Sequence, residues 1–342
     1  MNTTILGIDL AKHVFQLHGA DEFGKAVLKK QVSRVKLTET VAQLPRCRIV
    51  MEACGGSHYW ARKFKEYGHE VQLISPQFVK PFVKGNKSDR NDAEAIVEAA
   101  SRPSMRYVSP KTIAQQDMQS LLRMRESCIE MRTKLSNQLR GLLGEYGVVI
   151  SQGFAMLHKS LPSLYDRQKE NGLTECFKGN LELQYSLLLE IDKQIERYDS
   201  KVKAIAKTEA VCESVQKVEG IGPITAVALA ATIGQPSDFK NGRHFAAFLG
   251  LVPRQHSSGG KERLLGISKR GDGYLRKLLV QGARSVLIKS GNKKDSRHQW
   301  LNELSARRGS NRACVALANK NARIVLTMLK KGEAYRPAVN GE

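Results

Sequence analysis

The sequence predicts an α/β domain at the N-terminus, a helical middle segment and a mainly α-helical C-terminal domain. Short apolar runs alternate with helical segments over residues 3–100, and two long apolar stripes follow at heptad-like spacing. A glycine-containing, strongly basic segment completes the chain. A length of 342 residues suits two or three domains. We expect these domains to span residues 1–105, 106–210 and 211–342.

The N-terminal segment is predicted to contain five strands and three helices. Their order is three strands, helix, strand, helix, strand, helix, which is the order of the ribonuclease-H-like (RuvC-like) fold. Ser88 is a candidate N-cap for the last helix. The strands are expected at Thr4–Leu10, His13–Ala20, Lys25–Val32, Arg48–Ala53 and Val71–Ile74, and the helices at Val35–Leu44, Tyr59–Tyr67 and Ser88–Ala100.

Two later segments carry apolar residues that step by three and four, the pattern of long amphipathic helices. The pattern fits an antiparallel hairpin within one chain and equally a coiled coil that joins subunits. The connection between them contains Gly and Ser. The stripes consist of Leu121, Met124, Cys128, Met131, Leu135, Leu139 and Leu142, and of Leu181, Tyr185, Leu188, Ile191, Ile195, Tyr198, Val202 and Ile205.

The charge balance indicates a polyanionic partner. The chain has 55 Lys and Arg against 33 Asp and Glu, a formal net charge of +22, and nucleic acid is the commonest polyanion that such a protein meets. No apolar run is long enough to cross a bilayer, and the N-terminus lacks the features of a signal peptide. Six scattered cysteines without a CxxC pair are typical of reduced thiols in a cytosolic protein and argue against a zinc site.

Four acidic residues occupy places where a ribonuclease-H-like fold would bring them together. Asp9 ends the first strand, Glu52 ends the fourth, and Asp89 and Asp92 lie three residues apart on a predicted helix. Converging carboxylates repel one another unless a cation compensates them, and hard oxygen ligands suit Mg²⁺ or Mn²⁺. Two such ions could act on a phosphodiester. Four ordinary surface acids are the alternative interpretation.

The segment GIDLAK also resembles the phosphate-binding strand turn of sugar kinases and actin-like ATPases. Those proteins usually carry Gly and Thr or Ser after the Asp, whereas this chain has Leu10, Ala11 and Lys12. A second Asp-x-Gly-Gly loop is also missing from the sequence. The pattern therefore disfavours an ATPase.

The segment VEGIGP lies between two apolar helices, the pattern of a helix-hairpin-helix turn. Its glycines would let backbone N–H groups approach a DNA phosphate, although a tight helical turn without a ligand has the same pattern. The C-terminal third carries the largest excess of basic residues, part of which must be an ordinary solvated face. The candidate nucleic-acid-binding residues are Lys12, Gly220, Gly222, Arg254, Lys261, Arg263, Lys269, Arg270, Arg276 and Lys277.

Two serines precede a Gly-Gly pair in this basic segment, which we expect to be a flexible loop. Ser257 and Ser258 stand directly before Gly259 and Gly260, with basic residues on both sides. A serine in such a place could attack a phosphodiester with help from nearby cations. A Ser-Gly turn that binds phosphate without chemistry fits the spacing better.

Taken together, the motifs resemble those of the DEDD-motif insertion-sequence transposases, also called bridge-RNA-guided recombinases. The resemblance rests on GIDLAK, MEACGG, KSDRNDAEAI, VEGIGP and GLVP…SSGGK…GISKRGDGYLRK, which follow the family order over nearly the whole chain. The subgroup with subterminal inverted repeats is the most similar.

The resemblance implies a RuvC-like metal-binding domain, a coiled-coil spacer and a C-terminal transposase domain. It places the family's acids on Asp9, Glu52, Asp89 and Asp92 and its nucleophile on Ser258, with Ser257 as the adjacent alternative. It further implies double-stranded donor and target DNA, a structured non-coding guide RNA and a tetramer of two dimers. The acids of another subunit would then activate the serine.

Two other functions remain open at this point. A RuvC-like Holliday-junction resolvase or nuclease would use water as the nucleophile and the serine only to bind phosphate. A non-catalytic nucleic-acid-binding protein could retain the same fold. A covalent protein–DNA adduct separates the first alternative from a serine transposase.

Overall fold

The computed structural model describes residues 3–84, 88–166, 172–291, 293 and 295–336. It divides into two compact units. The first consists of Met1–Gln116 with Ile233–Lys240, and the second of Asp117–Thr232 with Asn241–Glu342. A mixed α/β N-terminal region and a mostly helical remainder are thereby confirmed, whereas the expected boundaries at 105 and 210 stay predictions.

The first unit is built on a six-stranded sheet, against which its helices pack. All five predicted strands and the three predicted helices are present, each within a few residues of the expected bounds. The sequence missed the short last strand and a short helix. The elements are β1 Ile5–Asp9, β2 Val14–Ala20, β3 Ala26–Ser33, α1 Arg34–Ala42, β4 Arg48–Glu52, α2 Ser57–Glu66, β5 Glu70–Ile74, α3 Pro76–Val79, α4 Asp89–Ala100 and β6 Tyr107–Val108.

The strand order across the sheet is β3-β2-β1-β4-β5-β6. Strand β1 lies in the middle, antiparallel to β2 and parallel to β4, and β4 is parallel to β5. The side chains of Leu6 and Ile8 in β1 are fully buried, as are those of Ile49 and Met51 in β4. Burying two large apolar side chains per strand fixes the register, because a one-residue slip would move them to the other face.

Helix α4 packs against β1 at unusually short range, and Gly7 permits this approach. A Cβ atom at Gly7 would lie 2.6 Å from Val97 Cγ2 and 2.7 Å from the carbonyl oxygen of Ala93. Both contacts are shorter than any real Cβ makes, so α4 can reach β1 only where a side chain is absent. The position of the first turn of α4 therefore depends on Gly7.

The second unit is mainly helical and contains one two-stranded sheet. Its elements follow the second apolar stripe and the basic C-terminal segment, and they include a helix between the two long ones that the sequence did not indicate. They are α5 Ile113–Gly144, which begins in the first unit, α6 Phe154–Asp166, α7 Glu175–Thr208, α8 Ala210–Gln216, α9 Pro223–Thr232, α10 Gly242–Phe248, β7 Pro253–Ser258, β8 Lys261–Ile267, α11 Gly273–Ile288, α12 Ser296–Arg308 and α13 Ser310–Lys331.

The two long helices pair with each other in the same chain. Arg125 forms an ion pair with Asp199, and Arg132 forms one with Asp192, so the helices run antiparallel. In α7 the predicted stripe faces the protein interior, and its members at heptad spacing are buried. These are Leu181, Leu188, Ile195 and Val202. Pairing within one chain thus accounts for this stripe.

The predicted stripe of α5 was partly wrong. Leu135 and Leu139 are buried against α6 and α7, but Met124 and Met131 are 52% and 46% exposed. Leu143 is buried in place of Leu142. Heptad spacing drifts around a straight helix by about 20° per heptad, so a long stripe need not stay on the packed face.

The expected flexible serine loop is also corrected. Strands β7 and β8 form an antiparallel hairpin, and the Gly259–Gly260 pair is its two-residue turn. Both glycines have positive φ, 55° and 76°, the geometry that such a turn requires. The two serines therefore stand at the end of a strand rather than in a loop.

Among the described residues, no helix combines the length and the apolar character that a membrane span requires.

Substituting Gly7 should weaken the first unit. Because a methyl group at this position would push α4 away from β1, Gly7→Ala should lower the free energy of unfolding by about 1–3 kcal/mol. Guanidinium denaturation followed by circular dichroism measures this loss. Gly55→Ala is the matched control, since a Cβ there meets nothing within 4 Å. Equal losses in the two variants would contradict a packing role for Gly7.

Candidate functional site

The four candidate acids come from the last residues of two strands and the first turn of one helix. Asp9 is the last residue of β1, and Glu52 is the last residue of β4, its parallel neighbour. Asp89 and Asp92 lie in the first turn of α4, the helix whose close approach to β1 is permitted by Gly7. Parallel neighbouring strands end at the same edge, which accounts for the approach of Asp9 and Glu52.

Three of these acids lie within reach of a single ion. Carboxylate oxygens of Asp9, Asp89 and Asp92 all lie within 4.8 Å of one another. Glu52 is close enough for its charge to act on Asp9. Oxygen donors in such a cluster suit Mg²⁺ or Mn²⁺, and the residues present therefore fit a divalent metal.

The electrostatics of Asp9 reflect this crowding. The pKa of Asp9 is raised from 3.8 to about 6, first by burial and then by the charges of Asp89, Asp92 and Glu52, while the backbone N–H of Leu10 opposes them. Both main causes penalise the ionised form. A divalent cation would remove the repulsion and stabilise that ionised form.

The N-cap of helix α4 stabilises the first turn, which carries two of the acids. The Ser88 hydroxyl accepts a hydrogen bond from the backbone N–H of Asn91 at 3.3 Å, as predicted for the N-cap. Asp89 and Asp92 follow in the first turn, where the positive end of the helix dipole favours negative charge. The cap and the dipole thus support two carboxylates that the neighbouring acids repel.

Cys54 is a neighbour of the cluster that the sequence analysis did not single out. It follows Glu52 by two residues, and its backbone N–H donates to the Glu52 carbonyl at 2.9 Å. Burial raises the pKa of the Cys54 thiol, and the charges of Glu52 and Asp9 add to this. The thiol therefore stays protonated beside the carboxylates. The only available signal was its place in the MEACGG segment.

The hairpin places the two serines on opposite faces. Ser258 is opposite Lys261 and His256 is opposite Arg263, so these four side chains share one face. Ser257 is opposite Glu262 on the other face, and its hydroxyl accepts a hydrogen bond from the Gln255 amide at 2.9 Å. The Ser258 hydroxyl takes part in no hydrogen bond with another described residue. Ser258 thus has the exposed, cationic face and an uncommitted hydroxyl.

The predicted nucleic-acid-binding side chains divide into two groups. Arg276 is half-buried and bound to the backbone, because its Nη1 donates to the carbonyl oxygens of Leu249 and Arg270, each at 2.9 Å. Lys277 forms an ion pair with Glu126. The remaining side chains are exposed and form no ion pair with a described residue. These are Lys12, Arg254, Lys261, Arg263, Lys269 and Arg270.

The two glycines of the VEGIGP turn differ in their surroundings. Gly220 has φ 92° and abuts Gly282 of α11, where a Cβ would lie 1.8 Å from the Gly220 carbonyl oxygen. Gly222 is exposed, and a Cβ there would meet nothing within 4 Å. Packing against α11 accounts for Gly220, and Gly222 is the one that leaves backbone open at the start of α9.

Two family models match this chain. The model described as "Transposase IS116/IS110/IS902 family" matches residues 212–299. A model of DEDD transposases matches residues 6–148. The first contains the hairpin and the VEGIGP turn, and the second contains all four acids.

The relatives cover nearly the full length. The chain is 50% identical over 332 residues to the transposase for insertion sequence element IS1111A of Coxiella burnetii, covering 97% of this chain and 91% of that protein. It is 47% identical over 337 residues to a probable family 20 transposase of Pseudomonas aeruginosa, covering 98% and 100%. It is 40% identical over 334 residues to the transposase for insertion sequence element IS1328 of Yersinia enterocolitica, covering 98% and 99%.

Divalent metal should stabilise the first unit in a pH-dependent way. At a Mg²⁺ concentration 100 times Kd, the free energy of unfolding should rise by about 2.7 kcal/mol at pH 7.5. A proton competes with the metal for Asp9, whose pKa is about 6, so the gain should shrink as pH falls through 6. Denaturation with and without Mg²⁺ across this range measures both effects.

The control for this measurement is Glu66→Gln, which neutralises an exposed acid of the same unit outside the cluster. Asp9→Asn should abolish the Mg²⁺ effect, and Glu66→Gln should preserve it. A Mg²⁺ gain that survives Asp9→Asn unchanged would rule out the cluster as the metal site.

Proposed function

Because the chain belongs to the IS116/IS110/IS902 family of insertion-sequence transposases, we propose that it cuts and rejoins double-stranded DNA with a serine nucleophile and a four-acid metal site. Transposases act on DNA, so the substrate class follows from the family. The convergence of Asp9, Asp89 and Asp92 is the observation that carries the proposal. The proposed catalytic residues are these three, Glu52 and Ser258.

We assign the first unit to the ribonuclease-H-like, RuvC-like fold. Five of its strands have the order β3-β2-β1-β4-β5, with β1 antiparallel to β2 and parallel to β4. That arrangement supports the assignment, since it brings the ends of the first and fourth strands together as the fold requires. The α5–α7 pair is the proposed coiled-coil spacer, and α8, the VEGIGP turn and α9 are the proposed helix-hairpin-helix.

In this proposal the acidic cluster holds Mg²⁺ or Mn²⁺. Asp9, Asp89 and Asp92 would be direct ligands, and Glu52 would complete the set. When bound, the metal supplies Lewis-acid stabilisation of charge at the reacting phosphate. The protein contributes the preorganisation: the sheet fixes Asp9 and Glu52, and the capped end of α4 fixes Asp89 and Asp92.

Ser258 is the proposed nucleophile. Its Oγ would attack the phosphorus of a DNA phosphodiester, lose its proton and displace one sugar oxygen, which gains a proton. A sugar hydroxyl from the second DNA would then attack the serine phosphodiester and release Ser258 with its proton restored. The cationic face shared with His256, Lys261 and Arg263 supports this assignment over Ser257. The charges of Lys261 and Arg263 would stabilise the developing negative charge on the phosphate.

Sequence selection would reside in a structured guide RNA, and the active assembly would be a tetramer of two dimers. Both proposals come from the motif resemblance. The net charge of +22 supports the binding of two nucleic acids, because each requires its own neutralising surface. The pairing of α5 with α7 within one chain leaves the exposed Met124 and Met131 available to other subunits.

Removing one carboxylate should stop cleavage and spare binding. Asp92→Asn keeps the size of the side chain but removes its charge, so it should lower strand cleavage by about 10²-fold or more. Incubation of purified protein with element-end DNA and guide RNA measures cleavage, and a gel shift measures binding. Glu66→Gln should behave as the parent. Cleavage by Asp92→Asn at the parental rate would exclude the cluster from the chemistry.

Ser258 should form a transient covalent bond to DNA. A suicide substrate that is nicked near the cleavage site should trap this adduct, and peptide mapping should place it on Ser258. Ser257→Ala is the matched control, because it removes the neighbouring hydroxyl on the opposite face. Adduct in the Ser257→Ala variant and none in Ser258→Ala is the expected result. Full recombination by both variants would identify water as the nucleophile and favour a resolvase-like nuclease.

Affinity for DNA should depend on the exposed cations of the hairpin. Substituting Arg254, Lys261 and Arg263 by Gln should lower the slope of log affinity against log salt by about 2 to 3, since each phosphate contact contributes about 0.9. Fluorescence anisotropy over a salt series measures the slope. Gln at Lys201, Lys203 and Lys207, three exposed lysines of α7, removes the same charge elsewhere. An equal change in both triple variants would show that the hairpin has no specific role.

A further inference from the structure

The lining of one cleft in the second unit contains no residue of the serine hairpin and none of the residues to which DNA contacts are assigned above. It has a volume of about 1110 Å³. Its walls come from the first residues of α10, from α12, from α13 and from residues 333–336. Small-molecule pockets usually measure about 300–1,000 Å³, so the cleft can hold a ligand of nucleotide size with room to spare.

The charge of the cleft is strongly positive. Arg243, Lys320, Arg323 and Arg336 line it, and none of them forms an ion pair with a described residue. Glu333 is the sole acid among the described lining residues, and it lies 3.9 Å from Lys331. Four uncompensated cations around one concave surface attract an anion more strongly than the same charges spread over a flat face.

Lys320 shows the effect of this crowding. Its ammonium lies 4.7 Å from the centroid of the Trp300 ring. Burial lowers the pKa of Lys320, and the charges of Arg297 and Arg323 lower it further. An anion in the cleft would relieve this repulsion, because no acidic side chain among the described residues raises the pKa of Lys320.

Hydrogen bonds hold one wall of the cleft in place. Arg297 donates from Nη1 to the Tyr335 hydroxyl at 2.7 Å and from Nη2 to Oδ1 of Asn321 at 2.6 Å. The Asn321 side chain is fully buried and donates to the Glu219 carbonyl at 3.0 Å. Since this network fixes Arg297 and Tyr335, the cleft is formed before any ligand arrives, which lowers the entropic cost of binding.

We propose that this cleft binds an unpaired nucleotide of a single-stranded nucleic acid. The base would stack on the indole of Trp300, and the adjoining phosphates would bind Lys320, Arg323 and Arg243. A flat aromatic ring beside several cations is the combination by which proteins hold unpaired nucleotides. A base-paired duplex does not fit this site, because its bases are stacked on one another and unavailable to an indole.

This site goes beyond the proposed catalytic function and fails independently of it. It requires neither the acidic cluster nor Ser258, and its occupancy can be measured without metal and without strand cleavage. The ligand could come from a single-stranded part of an RNA or from a displaced DNA strand, which share the same chemistry. Probes of each kind distinguish these two sources.

The intrinsic fluorescence of Trp300 provides a direct test. The chain has two tryptophans, and Trp60 is only 3% exposed, so Trp60→Phe leaves Trp300 as the single reporter. Short oligothymidylate and oligouridylate, without Mg²⁺, should quench its emission in a saturable way. A duplex of equal length should quench it much less. The tighter of the two single strands identifies the source of the ligand.

Variants of the cleft complete the test. Lys320→Gln with Arg323→Gln should weaken single-strand binding by about tenfold or more, and Trp300→Leu should weaken it by at least about fivefold. Lys201→Gln with Lys203→Gln is the matched control of equal charge and should bind as the parent does. Anisotropy of labelled oligonucleotides gives the affinity of every variant, and this measurement does not require the Trp60→Phe substitution. All substituted residues except Trp60 and Trp300 are exposed.

Three results would overturn the proposal. The first is binding of single strands without a change in Trp300 emission. The second is equal quenching by the duplex, and the third is an equal loss of affinity in the cleft and control variants. Circular dichroism of each variant confirms that the affinities refer to folded protein.

Discussion

Repulsion among the carboxylates of Asp9, Asp89 and Asp92 is the constraint on which the first unit depends. Their oxygens lie within 4.8 Å of one another, and part of the cost appears in the raised pKa of Asp9. A fold that keeps them together must be held by other interactions. The buried strands β1 and β4 supply these, as do the close approach of α4 at Gly7 and the Ser88 cap. A cluster that lowers the stability of the folded protein is typical of functional sites.

The second unit exposes basic side chains on an ordered framework of helices and one hairpin. The backbone of Gly220 packs closely against Gly282 of α11. Arg276 Nη1 donates hydrogen bonds to two backbone carbonyls. The basic side chains of the hairpin are thereby presented to solvent from an ordered support. The cleft beside Trp300 follows the same principle, since the hydrogen bond between Arg297 and buried Asn321 supports one wall while Lys320 and Arg323 form no ion pair with a described residue. Both surfaces suit polyanions.

The sequence predicted the elements that bury apolar side chains in a regular period. Strands β1 and β4, helix α4 with its cap, and the buried stripe of α7 all belong to this group. The hairpin was missed as structure because both faces of β7 are exposed, so no apolar alternation marks it. The packing roles of Gly220 and Arg276 depend on neighbours distant in sequence. A composition rich in Gly and Arg could therefore suggest phosphate binding where the structure has tertiary contacts.

The proposed chemistry requires a metal at the acidic cluster that would act on the reacting phosphate, and sulfur substitution tests this requirement most directly. Replacing one non-bridging oxygen of the scissile phosphate by sulfur weakens its interaction with hard Mg²⁺ more than with softer Mn²⁺. Cleavage of element-end DNA should slow by about tenfold or more in Mg²⁺ for one sulfur diastereomer, and Mn²⁺ should restore it. Equal cleavage rates for both diastereomers and the unmodified DNA in Mg²⁺ would contradict a role for the metal at the reacting phosphate.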